Sequence, residues 1–245
     1  MKTKSTLACL LVAGLTTVTL ASTAAAAPAA TTAPAAVVAP APAYVPAKKD
    51  RPYVLLFAKK GKPGARWYPC RPITWGVVEK GLVAEEIPRI TQAFATIASA
   101  TGLRFTYKGV SKKHGKSPIY HTPTIPGVDI AITFEDFAKT YPKQVKASAY
   151  GGAQYASYTS EIARYRYGYV RVDTPDLPGI PEPLREVLFL HELGHVIGLD
   201  HAPGPNVMNP TLSPDIMQFS AGDLAGLKVL GRHKGDCTSA SPFRS

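Results

Sequence analysis

Three histidines and one glutamate stand at a spacing that can hold and use a metal ion. In the stretch HELGHVIGLDH, residues 191–201, His191 and His195 are four residues apart, so both imidazoles leave the same face of a helix. Neutral imidazole nitrogens suit Zn²⁺. A continued helix would carry His201 away from that ion, and we expect Gly198 to end the helix in a left-handed conformation that returns His201 to it.

Glu192 directly follows the first of these histidines, so its carboxylate is expected beside the ion and not on it. Three protein ligands leave a fourth position for water, which is the property of a catalytic zinc site. Zn²⁺ lowers the pKa of such a water to about 7, and Glu192 is placed to accept its proton and return it to a leaving amine. The spacing therefore predicts hydrolysis with Glu192 as the general base.

Chance is the competing explanation, because a helical His pair with an intervening Glu also arises on solvated helix faces. The surrounding stretch, residues 183–199, is however the most apolar helix candidate in the chain. Burying three histidines and a glutamate there without a metal would leave several polar groups unsatisfied, at about 1–3 kcal/mol each. We therefore favour one catalytic Zn²⁺. Calcium stays open, although no acidic cluster demands it.

The remaining segments predict a mixed α/β fold. Strand, helix, strand and a further strand follow one another, which indicates a crossover unit with a helix on one face of a sheet. Strands are expected at residues 54–57, 73–78, 103–107, 128–134, 149–157 and 168–173, with a polar turn around 160–164, and helices at 83–100, 183–199 and 220–230.

Two features of the hairpin at 149–173 have alternative explanations. Gly151 and Gly152 are unusual inside a strand and indicate either a bulge or a close approach of another backbone. The density of Tyr and Arg over residues 155–171 is compatible with a nucleic-acid surface, but the solvated face of a hairpin has the same composition. Because no recognised nucleic-acid module accompanies it, we expect no nucleic-acid partner.

The motif at 191–201 resembles that of the metzincin zinc endopeptidases, HExxHxxGxxH, and residues 206–210 (NVMNP) match the Met-turn of that family. The order of elements from Cys70 onward is most similar to a bacterial matrixin-type catalytic domain. This resemblance implies an α/β (α+β) metzincin or zincin-like fold, with a mixed, twisted five-stranded sheet, an antiparallel edge strand and three main helices.

The resemblance also implies roles for individual residues. The edge strand, Tyr150 to Ser157, would pair with an extended peptide or protein substrate. Met208 would form a hydrophobic floor under the zinc, although an ordinary core methionine is the alternative. Asn209 stands where some metzincins have a metal-approaching Tyr, so no fifth protein ligand is expected, and His114 and His121 are expected to be surface histidines. The substrate-binding residues expected are Gly151, Gly152, Ala153, Asn209 and Pro210.

The N-terminal stretch is typical of an exported protein. Two lysines precede an uncharged run, residues 6–23, and small residues end it. No later stretch approaches the about 20 apolar residues of a spanning helix, so we expect a secreted monomer without a transmembrane segment. The predicted organisation is a signal peptide at 1–27, an Ala/Pro-rich linker at 28–50 and a zinc metalloprotease catalytic domain at 51–245.

Charge and cysteine usage fit this expectation. The chain has 28 Lys and Arg against 17 Asp and Glu, and removing Lys2 and Lys4 leaves 26 basic residues and a net charge near +9. Such a charge either attracts anionic surface polymers or serves solubility alone. Two cysteines remain after the signal, and we expect a Cys70–Cys237 disulfide. The alternative makes Cys70 a thiolate that caps the metal.

The preferred function is a secreted zinc-dependent endopeptidase. One alternative is a non-catalytic or cell-wall-associated binding protein that retains the metzincin fold and binds anionic polymers. Another is a zinc hydrolase that acts on cell-wall peptides. The intact Glu192 argues against the binding protein, because a site without catalysis needs no base.

Overall fold

A mostly parallel β-sheet forms the centre of the structure, which is a computed structural model describing residues 53–59, 62–117, 121–140, 147–156 and 163–238. The signal and linker segments, the strand end at Ser157 and most of the turn expected at 160–164 lie outside these ranges. The strands are β1 Val54–Leu55, β2 Ala58–Lys59, β3 Lys62–Pro63, β4 Ala65–Arg66, β5 Ile73–Val78, β6 Phe105–Ser111, β7 Gly115–Lys116, β8 Pro123–Thr124, β9 Ile130–Glu135, β10 Ala149–Ala156, β11 Ala163–Asp173 and β12 Leu199–Asp200. The helices are α1 Ile87–Thr101, α2 Phe137–Thr140, α3 Glu182–Ile197 and α4 Ala221–Leu230, with 3₁₀ turns at Ala84–Glu86 and Leu177–Gly179.

The central sheet has the strand order β10-β11-β9-β5-β6, and β4 pairs with β11 at its start. All pairings are parallel except that between β10 and β11. This confirms the mixed α/β class and the antiparallel edge. The prediction of five strands was wrong by one, because β4 has only two residues and no recognisable strand pattern.

The middle strand β9 is buried on both of its faces. Ile130 and Ile132 join the main core with the apolar residues of α1 and α3. Ala131 packs with Val78 and Ile125 in a smaller cluster. Burial on both faces explains why this strand is a continuous apolar run and does not alternate.

Helices α1 and α4 lie close to their expected positions. Pro88 lies in the first turn of α1, and Gly102 ends the helix with φ +68° and an N–H that donates to the Ala98 carbonyl oxygen at 2.8 Å. The last helix, α4, begins with a capping box, in which Ser220 and Asp223 bond each other's backbone N–H. A fourth, single-turn helix, α2, was not predicted.

A disulfide joins Cys70, just before β5, to Cys237, near the end of the described chain, with Cα atoms 5.4 Å apart. This confirms the predicted pairing, and the alternative of Cys70 as a metal ligand is wrong because its sulfur is already bonded. Beside the disulfide, the buried Arg66 guanidinium pairs with Asp236 at 2.8 Å and donates to the carbonyl oxygens of Leu230 and Gly231. Within the described ranges, no helix is long and apolar enough to cross a membrane.

Candidate metal centre

The three histidines of the motif come together at the C-terminal half of α3. The Nε2 atoms of His191 and His195 are 3.1 Å apart, and those of His191 and His201 are 3.2 Å apart. All three ligand atoms lie within 4.8 Å of one another. A tetrahedral zinc with Zn–N bonds of about 2.0–2.1 Å requires nitrogens about 3.3 Å apart. The histidine spacing therefore suits one zinc ion.

Gly198 makes this convergence possible, as expected from the sequence. It ends α3 with φ +120°, and its N–H donates to the carbonyl oxygens of Gly194 and His195. A Cβ at this position would collide with the hydroxyl of Tyr165. The chain then turns into β12, from which His201 returns to the other two histidines.

Hydrogen bonds on the far side of two imidazoles fix which nitrogen carries the proton. Nδ1 of His191 lies 2.7 Å from the Val207 carbonyl oxygen, and Nδ1 of His195 lies 2.8 Å from that of Leu199. A carbonyl oxygen can only accept, so each Nδ1 donates and each neutral ring leaves a lone pair on Nε2. Two lone pairs 3.1 Å apart cannot hydrogen-bond each other, and a cation between them removes the conflict.

Burial keeps these rings neutral. It lowers the pKa of His191 to about 4, with the neighbouring His195 acting in the same direction and the bond to Val207 opposing it. The pKa of His195 is also lowered, chiefly by burial. Both side chains are therefore in the metal-binding form at neutral pH.

Glu192 is buried next to the histidines, with an exposed fraction of 5 %. Burial raises its pKa to about 8, and a hydrogen bond from the Gly151 backbone N–H opposes this shift. The carboxyl group can therefore both hold and release a proton near neutral pH.

A cavity of about 670 Å³ opens over the histidines and Glu192. Of the five substrate-binding residues expected, Gly151 and Pro210 line it, whereas Gly152, Ala153 and Asn209 do not. The side-chain amide of Asn209 instead donates to the Gly204 carbonyl oxygen at 3.0 Å, within its own loop.

Several apolar lining residues were missed from the sequence. Leu184 and Leu188 line the cavity from α3, four residues apart and on the helix face that carries His191 and His195. That spacing could have identified them. Other apolar lining residues come from three separate segments: Leu56, Ile180 and Leu212.

The close approach expected at the glycine pair is confirmed for Gly151. A Cβ on Gly151 would collide with the carbonyl oxygen of Glu192, so β10 runs directly against α3 at Glu192. The alternative of a bulge at the glycines was wrong, because the register shift of this strand lies between Gln154 and Tyr155.

The segment after His201 is packed beneath α3. Met208 is 1 % exposed, and its sulfur occupies the space where a Cβ on Gly194 would lie. The carboxylate of Asp223 accepts the Val207 N–H at 3.0 Å and is itself fully buried. Asp223 also belongs to the capping box of α4, and its bond to Val207 supports the residue that bonds His191.

Among the described residues, one group of at least three side chains could hold a metal ion, and it is the histidine triad. His114 and His121 are both exposed and belong to no such group.

No protein-family model matches this chain, and no curated protein matches it either. The chemistry of the centre is therefore inferred from its own residues.

Proposed function

We propose that this protein is a secreted, zinc-dependent endopeptidase of the metzincin class, similar to the matrixins. The observation that carries the proposal is the placement of Glu192 beside three converging histidine Nε2 atoms on the floor of an open cleft. A buried acid next to three converging histidine nitrogens has little structural value, because burying it without a cation is unfavourable.

His191, His195 and His201 would hold the zinc. Bound Zn²⁺ polarises the carbonyl group of a peptide and makes a water acidic enough to lose its proton near neutral pH. The neutral rings are ready for this ligation, since Val207 and Leu199 hold the Nδ1 protons of the first two histidines.

Glu192 carries the proton. Its carboxylate accepts a proton from a water in the cleft, and the same oxygen then donates that proton to the amine nitrogen of the departing product. Gly151 orients the carboxylate through its backbone N–H.

The edge strand β10 would align the substrate. The Asp173 N–H donates to Ser148 across the β10–β11 pair, so the antiparallel alternation points the peptide groups of Ala149, Gly151 and Ala153 away from β11. An extended peptide can add to that edge as a further strand. The apolar wall formed by Leu184, Leu188 and Leu212 would then accept an apolar side chain of the substrate.

Secretion is supported by the signal-like residues 1–27 and by the disulfide. Disulfides persist in oxidising compartments and are rare in reducing ones. The Cys70–Cys237 bond links positions 167 residues apart in the sequence, so it joins distant parts of the fold.

The test is Glu192→Gln in the purified protein, assayed on an unbiased pool of proteome-derived peptides. The variant should keep stoichiometric zinc and lose nearly all cleavage, whereas Glu182→Gln, on the exposed start of the same helix, should cleave normally. Retained cleavage in Glu192→Gln would overturn the proposed base. A zinc-loaded wild type that cleaves only cell-wall peptides, or nothing, would favour the corresponding alternative function.

A further inference from the structure

A second cleft, of about 880 Å³, shares no lining residue with the cleft over the histidines. Four segments form it: residues 68–74 up to the start of β5, the region of β7, residues 124–129 and the first half of β11. Its basic lining residues are Arg71, His114, Lys116, Arg164 and Arg166.

The acidic residue among the described lining residues, Asp129, offsets one of these basic residues, Arg71, and no other. Its carboxylate is bound by both terminal nitrogens of Arg71, each at 2.7 Å, and by the backbone N–H of Thr74 at 2.8 Å. Lys116 and Arg166 are exposed and make no ion pair with a carboxylate in the described part of the chain. The cleft therefore keeps an excess of positive charge.

Two tyrosine rings of this cleft have an arginine guanidinium group over one face, and a third tyrosine is buried. The Arg164 guanidinium lies 4.6 Å from the ring centre of Tyr68, and that of Arg166 lies 5.5 Å from the ring centre of Tyr167. Tyr165 is only 5 % exposed. A guanidinium held on a ring loses less freedom when it binds a planar anion, so these arginines are preorganised.

From these observations we propose that the second cleft binds an anionic polysaccharide. Carboxylate or sulfate groups along the polymer would meet the exposed Lys116 and Arg166. Sequence-tolerant nucleic-acid binding instead requires aromatic faces on which bases can stack. In this cleft a guanidinium group lies over one face of Tyr68 and of Tyr167, and Tyr165 is buried, so fewer faces are open to bases and a polymer without bases fits better.

A polymer bound in the second cleft would hold the protein without blocking the cleft over the histidines. Because the two clefts have no lining residue in common, a polymer in the second leaves the first open. The interaction depends on exposed charges and is weakened by salt. It does not depend on zinc or on hydrolysis, so it stands or falls separately from the proposed function.

The test uses heparin, a sulfated polysaccharide, with binding measured by calorimetry at low and at physiological salt. The double variant Lys116→Glu/Arg166→Glu should bind heparin about tenfold more weakly or worse. The control Lys228→Glu/Arg232→Glu has the same change in charge at exposed positions that do not line the cleft, and it should bind within about twofold of wild type. Thermal unfolding of each variant verifies that it is folded.

Two comparison probes complete the experiment. A single-stranded oligonucleotide and poly-glutamate, matched in charge to the heparin, should bind more weakly and distinguish the two double variants less. Equal losses in both double variants, or tighter binding of either comparison probe at the second cleft, would overturn the proposal, as would no heparin binding by the wild type.

Discussion

Nδ1 of His191 donates to the carbonyl oxygen of Val207 across 2.7 Å. The N–H of the same Val207 donates to the buried carboxylate of Asp223 at 3.0 Å. The orientation of the His191 ring is thus linked to a carboxylate in α4, in the way that groups beyond the ligands tune known metal sites.

We predict that Asp223→Asn weakens zinc binding by about tenfold or more, because an amide holds the Val207 backbone less firmly than a carboxylate. The measurement is competition against a chelator of known affinity. Ser220→Ala is the control, since it removes the hydroxyl cap of α4 and one hydrogen bond to the Asp223 carboxylate but keeps the bond from the Val207 N–H to that carboxylate. It should lower stability by about 1 kcal/mol and leave zinc affinity unchanged. Equal zinc affinities in both variants would show that Asp223 is only a cap.

Gly151→Ala should destabilise the fold by about 1–3 kcal/mol and reduce peptide cleavage, because the added methyl group meets the Glu192 carbonyl oxygen and pushes β10 away from the base. Urea unfolding and the peptide-pool assay measure the two effects. Gly115→Ala is the control, since its nearest neighbour is 3.5 Å away, an ordinary contact. A Gly151→Ala protein as stable and active as the control would refute the close approach.

The disulfide should be complete in the folded protein. Under denaturing conditions, protein lacking residues 1–27 should show no titratable thiol, and Cys70→Ser/Cys237→Ser should lose about 2–5 kcal/mol of stability to urea. The physical reason is that the bond restricts the unfolded chain. Two reactive thiols per chain would contradict the pairing.

The Asp129 carboxylate predicts a defined pH dependence of stability. Burial would raise its pKa, but the hydrogen bonds from Arg71 and Thr74 outweigh burial and hold the pKa below its usual range. A group whose pKa is lower in the folded state stabilises the fold above its unfolded pKa, which is about 3.9. That contribution is lost as the pH falls through the folded pKa.

The wild type should therefore exceed Asp129→Asn in free energy of unfolding by a constant amount from about pH 7 to 5, and the difference should shrink below about pH 4. Urea titrations across this pH series measure it. A difference that stays constant down to the lowest pH at which both proteins fold would mean that the Asp129 pKa is not depressed.

The candidate metal centre could be predicted because its residues are close in sequence. Features that depend on the pairing of distant strands could not be predicted. His191, His195 and Gly198 lie within two turns of one helix, so their geometry follows from helix periodicity. By contrast, Leu56 reaches the cleft because β1 pairs with β12, which is distant in sequence. The start of β11 at Ala163, five residues before its expected start, likewise depends on pairing with β4. Neither pairing has a local signal.

The most direct test of the account is the zinc content of purified, folded protein. Elemental analysis should find one zinc per chain in the wild type and in His114→Ala, whose side chain is exposed and outside the triad. His201→Ala should fold but retain zinc substoichiometrically after dialysis, because two nitrogens bind it more weakly than three. A folded wild type without stoichiometric zinc, or a His201→Ala variant that retains a full equivalent, would contradict the three-histidine centre.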